Sequence, residues 1–288
     1  MNIRIRPPGT EICSWWSSLC PSTARAGACC IIVIYIALGM RSIKYFRFCL
    51  LILGMSMCSF ATSQADDKPA LSLTETLAAK AAESKAKTPP ERAAIMSGAI
   101  AALQKSGVGE KAPKIGETFP DASFIEPLGK PTTLYQQIGD RPAIVTFYRG
   151  GWCPYCNLQL HAYSAMNKEI EALGATLVAI TPELPDQALS TQEKNELSFT
   201  VLSDKKNHFA RTLNIVFHVE DDLEKVYREF GIDLEKNQGN NSWDLPLAAT
   251  FVIDAKRIVR YVFLDVDYKK RAEPEILISE LKKINGSN

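Results

Sequence analysis

From residue 70 onward the chain alternates between stretches with helical spacing of apolar positions and short runs that are apolar throughout. Residues 70–106 (ALSLTETLAAKAAESKAKTPPERAAIMSGAIAALQKS and the Gly that follows) are rich in Ala, Lys, Glu and Leu. Leu71, Leu73, Leu77 and Ala81 form one apolar stripe, and Ile95, Ile100 and Leu103 a second. Pro89-Pro90 divides this segment into two helices, and Gly107 and Gly109 end the second. IGETFPDASFIEPLGKPTTL, from Ile115, reads as extended segments and turns, and PAIVTFYRG (142–150) as a buried strand of β-branched and aromatic residues. From Cys153 to Leu173, Leu158, Tyr163, Met166, Ile170 and Leu173 recur at helical spacing, and Gly174 stops the helix. ATLVAITP (175–182) is a second buried strand, PDQALSTQEKNEL a helix and FTVLSD (199–204) a third strand. NHFARTLN and EDDLEKVYREFG are helical pieces, and AATFVID and RIVRYVFLDV pair as a hairpin across Ala255–Lys256. EPEILISELKKI (273–284) closes the chain as a helix with Pro274 in its first turn.

Strand, helix, strand, helix, strand, antiparallel hairpin and last helix is the thioredoxin order. The expected fold is therefore α/β and thioredoxin-like, a central mixed sheet flanked by helices, with an N-terminal helical extension. The expected boundaries are a targeting segment at 1–65, a helical lead-in at 66–110 and the main domain at 111–288. In the targeting segment, Arg41, Lys44 and Arg47 form a basic region, Cys49 to Ala61 an apolar one, and Ser63-Gln64-Ala65 a small-residue cleavage site. Cleavage after Ala65 predicts export, to a periplasmic location. Residues 1–39 precede this signal and fit it poorly; they are read either as an over-long start, with Met40 the initiator in place of Met1, or as part of an anchor. An alternative takes Ala28 to Leu38 into an uncleaved membrane anchor that leaves the domain outside the cytoplasm. That run is about half the ~20 residues a spanning helix needs. Cys58 is a poor lipid-attachment site, because Met57 stands where a small residue is required.

Composition is that of an ordinary globular protein, 46% hydrophobic and 23% charged with a net charge of +1. No block of Lys or Arg offers a surface for phosphates, so a nucleic-acid partner is not expected. Residues 1–65 hold six of the chain's 33 basic residues and one of its 32 acids, leaving 27 and 31 in the remainder. Six of the eight cysteines also precede residue 60, so the expected folded part holds only Cys153 and Cys156. One such pair staples nothing distant.

These two cysteines lie in FYRGGWCPYCNL (147–158), where a strand passes into a helix at the carboxyl edge of the sheet. A C-x-x-C can hold zinc, exchange disulfides or reduce peroxides. Zinc asks for four ligands, and beyond the pair only His161, His208 and His218 are on offer, so no metal is expected. Nor is any cofactor. Two inert buried cysteines would not call for Gly150, Gly151 and Trp152 leading straight into a helix. At the first turn, unpaired N–H groups and the helix dipole stabilise a thiolate at Cys153, with Pro154 fitting a position that needs no N–H. Cys153 is then the nucleophile, and Cys156, expected to be more shielded, its resolving partner. Arg149 adds positive charge or stands solvated at the surface, and Thr146, on the strand, is expected to be structural.

FYRGGWCPYCNLQL resembles the C-x-x-C-bearing, peroxiredoxin-like branch of the alkyl hydroperoxide reductase/thiol-specific antioxidant family in the thioredoxin superfamily. The resemblance covers most of residues 71–284, including SGVGEKAPKIGETFPDASF, ATFVID and DVDYKKRAEPEIL. It implies a peroxidase acting on hydrogen peroxide or organic hydroperoxides. Cys153 would become a sulfenic acid, Cys156 would close a disulfide with it, and thioredoxin or a similar dithiol would restore both. Two positions depart from the family pattern. Gly150 stands where members carry a Thr or Ser three residues before the attacking Cys, and Ala248 and Ala249 stand where they carry an Arg. Thioredoxins place a cis-Pro where Ala249 sits, and Pro246 is the nearest proline. Two other readings compete. One is a thiol–disulfide oxidoreductase acting on protein substrates, which Trp152 supports. The other is a thioredoxin-fold binding module held at a membrane through an uncleaved N-terminus.

Overall fold

A computed structural model describes residues 72–286. The targeting segment, with its signal and anchor readings, lies outside the described residues. Two helices come first, α1 (Leu73–Lys87) and α2 (Pro90–Ser106). They are followed by β1 (Ser123–Ile125), β2 (Pro131–Thr133), α3 (Leu134–Ile138), β3 (Ala143–Phe147) and α4 (Pro154–Ala172). Next come β4 (Thr176–Thr181), α5 (Pro185–Lys194), β5 (Thr200–Ser203), α6 (His208–Thr212), β6 (Val216–His218), α7 (Asp221–Glu229) and α8 (Leu234–Gln238). β7 (Asp244–Pro246), β8 (Thr250–Ile253), β9 (Val259–Phe263) and α9 (Pro274–Gly286) complete the fold.

A seven-stranded sheet runs in the order β2-β1-β5-β4-β3-β8-β9. β3, β4 and β5 are parallel, and β8 and β9 close one side as an antiparallel hairpin. β3 lies between β4 and β8, and all five of its residues are buried. This is the mixed thioredoxin-like sheet expected from the element order. Three elements were not foreseen: α3, α8 and the two-stranded β6–β7 sheet. α3 starts with a capping box, in which Thr133 Oγ1 accepts from the Gln136 N–H and the Gln136 side chain accepts from the Thr133 N–H. That signature was present in TTLYQ. The β6–β7 strands are three residues each, too short for periodicity to register.

The sheet separates two apolar clusters, as the alternation along β3 requires. Val145 and Phe147 join Phe119, Phe209 and Phe251 on one face. Ile144 joins Tyr148, Leu160, Tyr163, Leu277 and both described cysteines on the other. α1 belongs to this second cluster through Leu73 and Leu77, and its first turn is tied to the C-terminal segment by the Thr74 N–H, which donates to Glu273 Oε1 at 2.6 Å. α2 contributes no fully buried residue. Truncation should therefore separate the two helices. Leu77→Ala is expected to cost about 2–5 kcal/mol in denaturant unfolding, and Ile100→Ala, on α2, clearly less. Equal costs would show that α2 is as much a part of the core as α1.

Candidate active site

β3 ends at Phe147, and the next six residues carry the chain to α4. The Tyr148 N–H still donates to the Ile180 carbonyl at 2.9 Å, so the strand geometry persists one residue further. Gly150 then adopts φ +152°, and a Cβ there would lie 2.2 Å from Trp152 Nε1. A Cβ on Gly151 would lie 2.1 Å from Thr191 Oγ1. Both glycines make room for side chains that close over the loop. The Cys153 N–H donates to the Gly150 carbonyl at 3.1 Å, and Cys153 forms the N-cap of α4, with Pro154 as its first helical residue. Its sulfur thus sits at the positive end of a 19-residue helix.

Cys153 and Cys156 are free thiols, and both are fully buried. The difference in shielding expected between them is absent: both lie in the buried apolar cluster that also holds Leu73 and Leu77 of α1, Tyr155 and Ala272. Each sulfur has its own arginine. Arg149 is buried and does not stand at the surface; its Nη2 donates to Cys153 Sγ at 3.0 Å and its Nη1 to the Tyr227 hydroxyl at 3.0 Å. The guanidinium lies 4.3 Å from the Tyr268 ring centroid and 5.0 Å from that of Trp152. Its Nε has no hydrogen-bond partner. Arg271, equally buried, donates from Nη2 to Cys156 Sγ at 3.3 Å and from Nε to Gln159 Oε1 at 2.6 Å. Gln159 Nε2 donates in turn to Thr146 Oγ1, which meets the Thr250 hydroxyl at 2.8 Å. Thr146 is thus linked through Gln159 to the arginine on Cys156.

The two thiols titrate in opposite directions. Burial pushes Cys153 up, but the hydrogen bond with Cys156 and the charges of Arg149 and Arg271 outweigh it and hold Cys153 well below the usual thiol range. Cys156 is pushed well up, by burial and by its hydrogen bond to and charge repulsion from Cys153. The arrangement thus favours the negative charge on Cys153 and the proton on Cys156. Glu183, just beyond β4, is also buried; desolvation raises its pKa to about 7 against the Gly151 and Thr191 hydrogen bonds.

All of the expected site residues gather here except Thr146, which stands behind Cys156. Ala249 is fully buried, and its carbonyl accepts from the Phe147 N–H. No peptide bond among the described residues is cis, and Pro246 lies in β7 paired with Val216. Arg271, Gln159, Glu183, Tyr227 and Tyr268 were not anticipated. Of these, only Glu183 carried a signal, as an acid between two prolines at the end of an apolar strand (TPELP).

A depressed thiol that caps the helix leaving the central strand of such a sheet defines a thioredoxin-fold thiol oxidoreductase. The AhpC/TSA family model matches residues 108–262, more than half of the sequence, and the chain belongs to this family. It is an oxidoreductase of the peroxiredoxin class. The chain is 27% identical over 184 residues to the chloroplastic peroxiredoxin Q of Sedum lineare, covering 64% of this chain and 83% of that one. It is 25% identical over 170 residues to peroxiredoxin Bcp of Escherichia coli, covering 59% and 96%. Among solved structures, the peroxidoxin BcpB of Mycobacterium tuberculosis aligns with a TM-score of 0.47 at 20% identity, over 60% of this chain and 98% of that one. α1, α2, Tyr268 and Arg271 lie outside the matched family region.

The raised Glu183 pKa has a stability consequence. Between its unfolded value of 4.5 and about 7, the folded state binds the proton that the unfolded state has lost, so this contribution is full at low pH and falls away as pH rises. The loss amounts to roughly 3 kcal/mol. Glu183→Gln, which keeps one acceptor oxygen for the Gly151 N–H and turns an NH2 donor toward the Thr191 hydroxyl, should remove this decline, and urea titrations at acid and alkaline pH would measure it. A parent and variant with parallel pH–stability curves would contradict the assignment.

Proposed function

We propose that the protein is a thiol peroxidase in which Cys153 reduces a hydroperoxide and Cys156 resolves the product. The observation that carries this reading is the buried Arg149–Cys153 pair. The Cys153 thiolate attacks one oxygen of the substrate, the O–O bond breaks, and the leaving alkoxide or hydroxide departs as alcohol or water after taking a proton. Cys153 is left as a sulfenic acid. Cys156 then attacks its sulfur, forming the Cys153–Cys156 disulfide and releasing water. A thioredoxin-type dithiol reduces the disulfide and is itself oxidised. Arg149 takes over the positive charge that the family carries on the strand now holding Ala248 and Ala249. Its unpartnered Nε supports a role as donor to a peroxide oxygen in place of the hydroxyl missing at Gly150.

A cavity of about 290 Å³ lined by Arg149, Trp152, Pro154, Tyr155, Tyr227 and Tyr268 adjoins the loop. It admits a small peroxide more readily than a protein, and both sulfurs are fully buried. Exchange on protein thiols is therefore the less supported reading. Regeneration by a protein dithiol requires the first turn of α4 to open once the disulfide has formed. No feature of the described residues favours the membrane-held binding module.

Peroxide oxidation of Cys153, followed by stopped-flow fluorescence, tests the proposal. The parent should outrun a free thiol by orders of magnitude. Cys153→Ser should abolish turnover, and Arg149→Gln should slow the oxidation step on the order of 100-fold. Cys156→Ser should stop after one turnover with a trappable sulfenic acid. Oxidation no faster than that of a free thiol would end the peroxidase reading. We also place the protein outside the cytoplasm, on the basic, apolar and small-residue pattern of residues 40–65. Sequencing the mature N-terminus should find Asp66 first; an intact Met1 or Met40 would refute cleavage.

A further inference from the structure

Arg271 has surroundings that the steps described so far do not explain. It is a guanidinium 4% exposed, and among the described residues no carboxylate pairs with it. Its Nε donates to Gln159 Oε1 at 2.6 Å, and its Nη1 to the carbonyls of Tyr268 and Lys270. All three acceptors are neutral. The remaining contact runs from Nη2 to Cys156 Sγ at 3.3 Å. A thiol sulfur is a weak acceptor, whereas a thiolate is a strong one. A buried cation whose other partners are neutral thus has one contact able to carry its counter-charge, and that contact is the Cys156 sulfur.

The placement is built into the fold. Cys156, Gln159 and Tyr163 lie on one face of α4, and all three bond to the segment that carries Arg271. The Tyr163 hydroxyl donates to the Ala272 carbonyl at 3.0 Å. Gln159 Nε2 donates to Thr146 Oγ1 at 2.9 Å, which anchors the guanidinium through Gln159 to β3. Arg149 hydrogen-bonds to Cys153 and not to Cys156, so each sulfur has a separate donor.

We propose that Arg271 is a catalytic residue of the second half of the cycle, stabilising negative charge on Cys156 as it closes the disulfide and again as it is expelled. The direction of these steps rests on the peroxidase reading. In closure, Cys156 Sγ attacks the sulfenic sulfur of Cys153 as its S–H bond breaks. The S–S bond forms, the S–O bond breaks, and the Cys156 proton goes to the departing hydroxide, which leaves as water. Arg271 Nη2 donates to the sulfur while it carries the developing charge. In reduction, a thiolate of the external dithiol attacks Cys153 Sγ, and the S–S electron pair goes to Cys156, which departs as a thiolate facing Arg271. The second thiol of the dithiol gives its proton to Cys156 and attacks the mixed disulfide, expelling the Cys153 thiolate toward Arg149. The dithiol ends as its own disulfide.

The titration behaviour agrees with this geometry. Cys156 is pushed up by burial and by its hydrogen bond with and the charge of Cys153, and drawn down by Arg271 and then Arg149. Oxidation of Cys153 to a sulfenic acid removes the repelling thiolate and leaves both arginines in place. Cys156 therefore becomes easier to ionise at the point in the cycle where it has to attack.

The test separates disulfide closure from Cys153 oxidation. Full-length reduced protein is mixed with one equivalent of hydrogen peroxide in the presence of dimedone, and the adduct is read on the peptide that contains Cys153. In the parent, closure should outrun trapping. Arg271→Gln should slow closure on the order of 100-fold, so that the adduct accumulates, while oxidation of Cys153 next to Arg149 changes far less. Arg271→Lys, which keeps the charge but not the fork, should recover part of the closure rate. Tyr163→Phe loosens the same segment and leaves the guanidinium in place, and should close near the parent rate. An Arg271→Gln variant that closes at the parent rate or slows both steps equally overturns the proposal, as does a Tyr163→Phe variant that slows closure to the same extent. If Arg271→Gln does not fold, Arg271→Lys decides alone, and it must slow closure while sparing oxidation. If peroxide fails to oxidise Cys153 in the parent, the peroxidase reading falls on its own. The role of Arg271 then rests on dithiothreitol reduction of the diamide-formed Cys153–Cys156 disulfide, which Arg271→Gln must slow on the order of tenfold or the inference is lost.

Discussion

A charged pair sealed away from water is the constraint around which this protein is arranged. Arg149 and Cys153 are both buried, and either charge alone would be prohibitive there. The guanidinium is held at its two terminal nitrogens and over its faces, with Nε left without a partner. Cys153 and the Tyr227 hydroxyl take its two terminal nitrogens, and Tyr268 and Trp152 cover its faces. Those contacts come from α4, α7, the segment after β9 and the loop itself, so a single side chain fixes four parts of the chain relative to one another. The same arrangement recurs at lower strength around Cys156, where Arg271 ties the sulfur to Gln159 and, through it, to the strand threonines.

This explains how two thiols with the same burial diverge. Exposure does not distinguish them. Cys153 caps a helix and receives the closer guanidinium, whereas Cys156 lies one turn inside the helix and faces the charge of its neighbour. In the proposed mechanism, order of attack is thus set by electrostatics and not by access. Two arginines facing two sulfurs also mean that the site remains electrostatically compensated whichever sulfur carries the negative charge.

The fold was legible because its information is local. Runs such as PAIVTF and ATLVAIT read as buried strands without any knowledge of their partners, and proline and glycine mark most of the helix ends. The position of the cysteine pair between strand and helix followed from the same pattern. What surrounds the pair was not legible. Arg271 lies 115 residues beyond Cys156, and nothing in YKKRAEP distinguishes it from the basic residues beside it. Arg149 was visible as a candidate, but its burial depends on Tyr227 and Tyr268, which arrive from far along the chain. The docking of α1 into the cluster that holds both sulfurs is likewise something a stripe of Leu and Ala cannot assign to a particular face.

Gly150 draws these threads together. It looks like a simple loss, a glycine where relatives of this type show a hydroxyl-bearing residue. Yet its φ of +152° disfavours any side chain, and a Cβ would run into Trp152 Nε1. Trp152 in turn covers Arg149. Threonine at this position is therefore not accommodated by a single substitution. The indole would have to be replaced and the loop re-formed first, and each intermediate sequence would uncover the guanidinium on which Cys153 depends. The glycine is thus one half of a steric pair with Trp152, and position 150 cannot be exchanged alone.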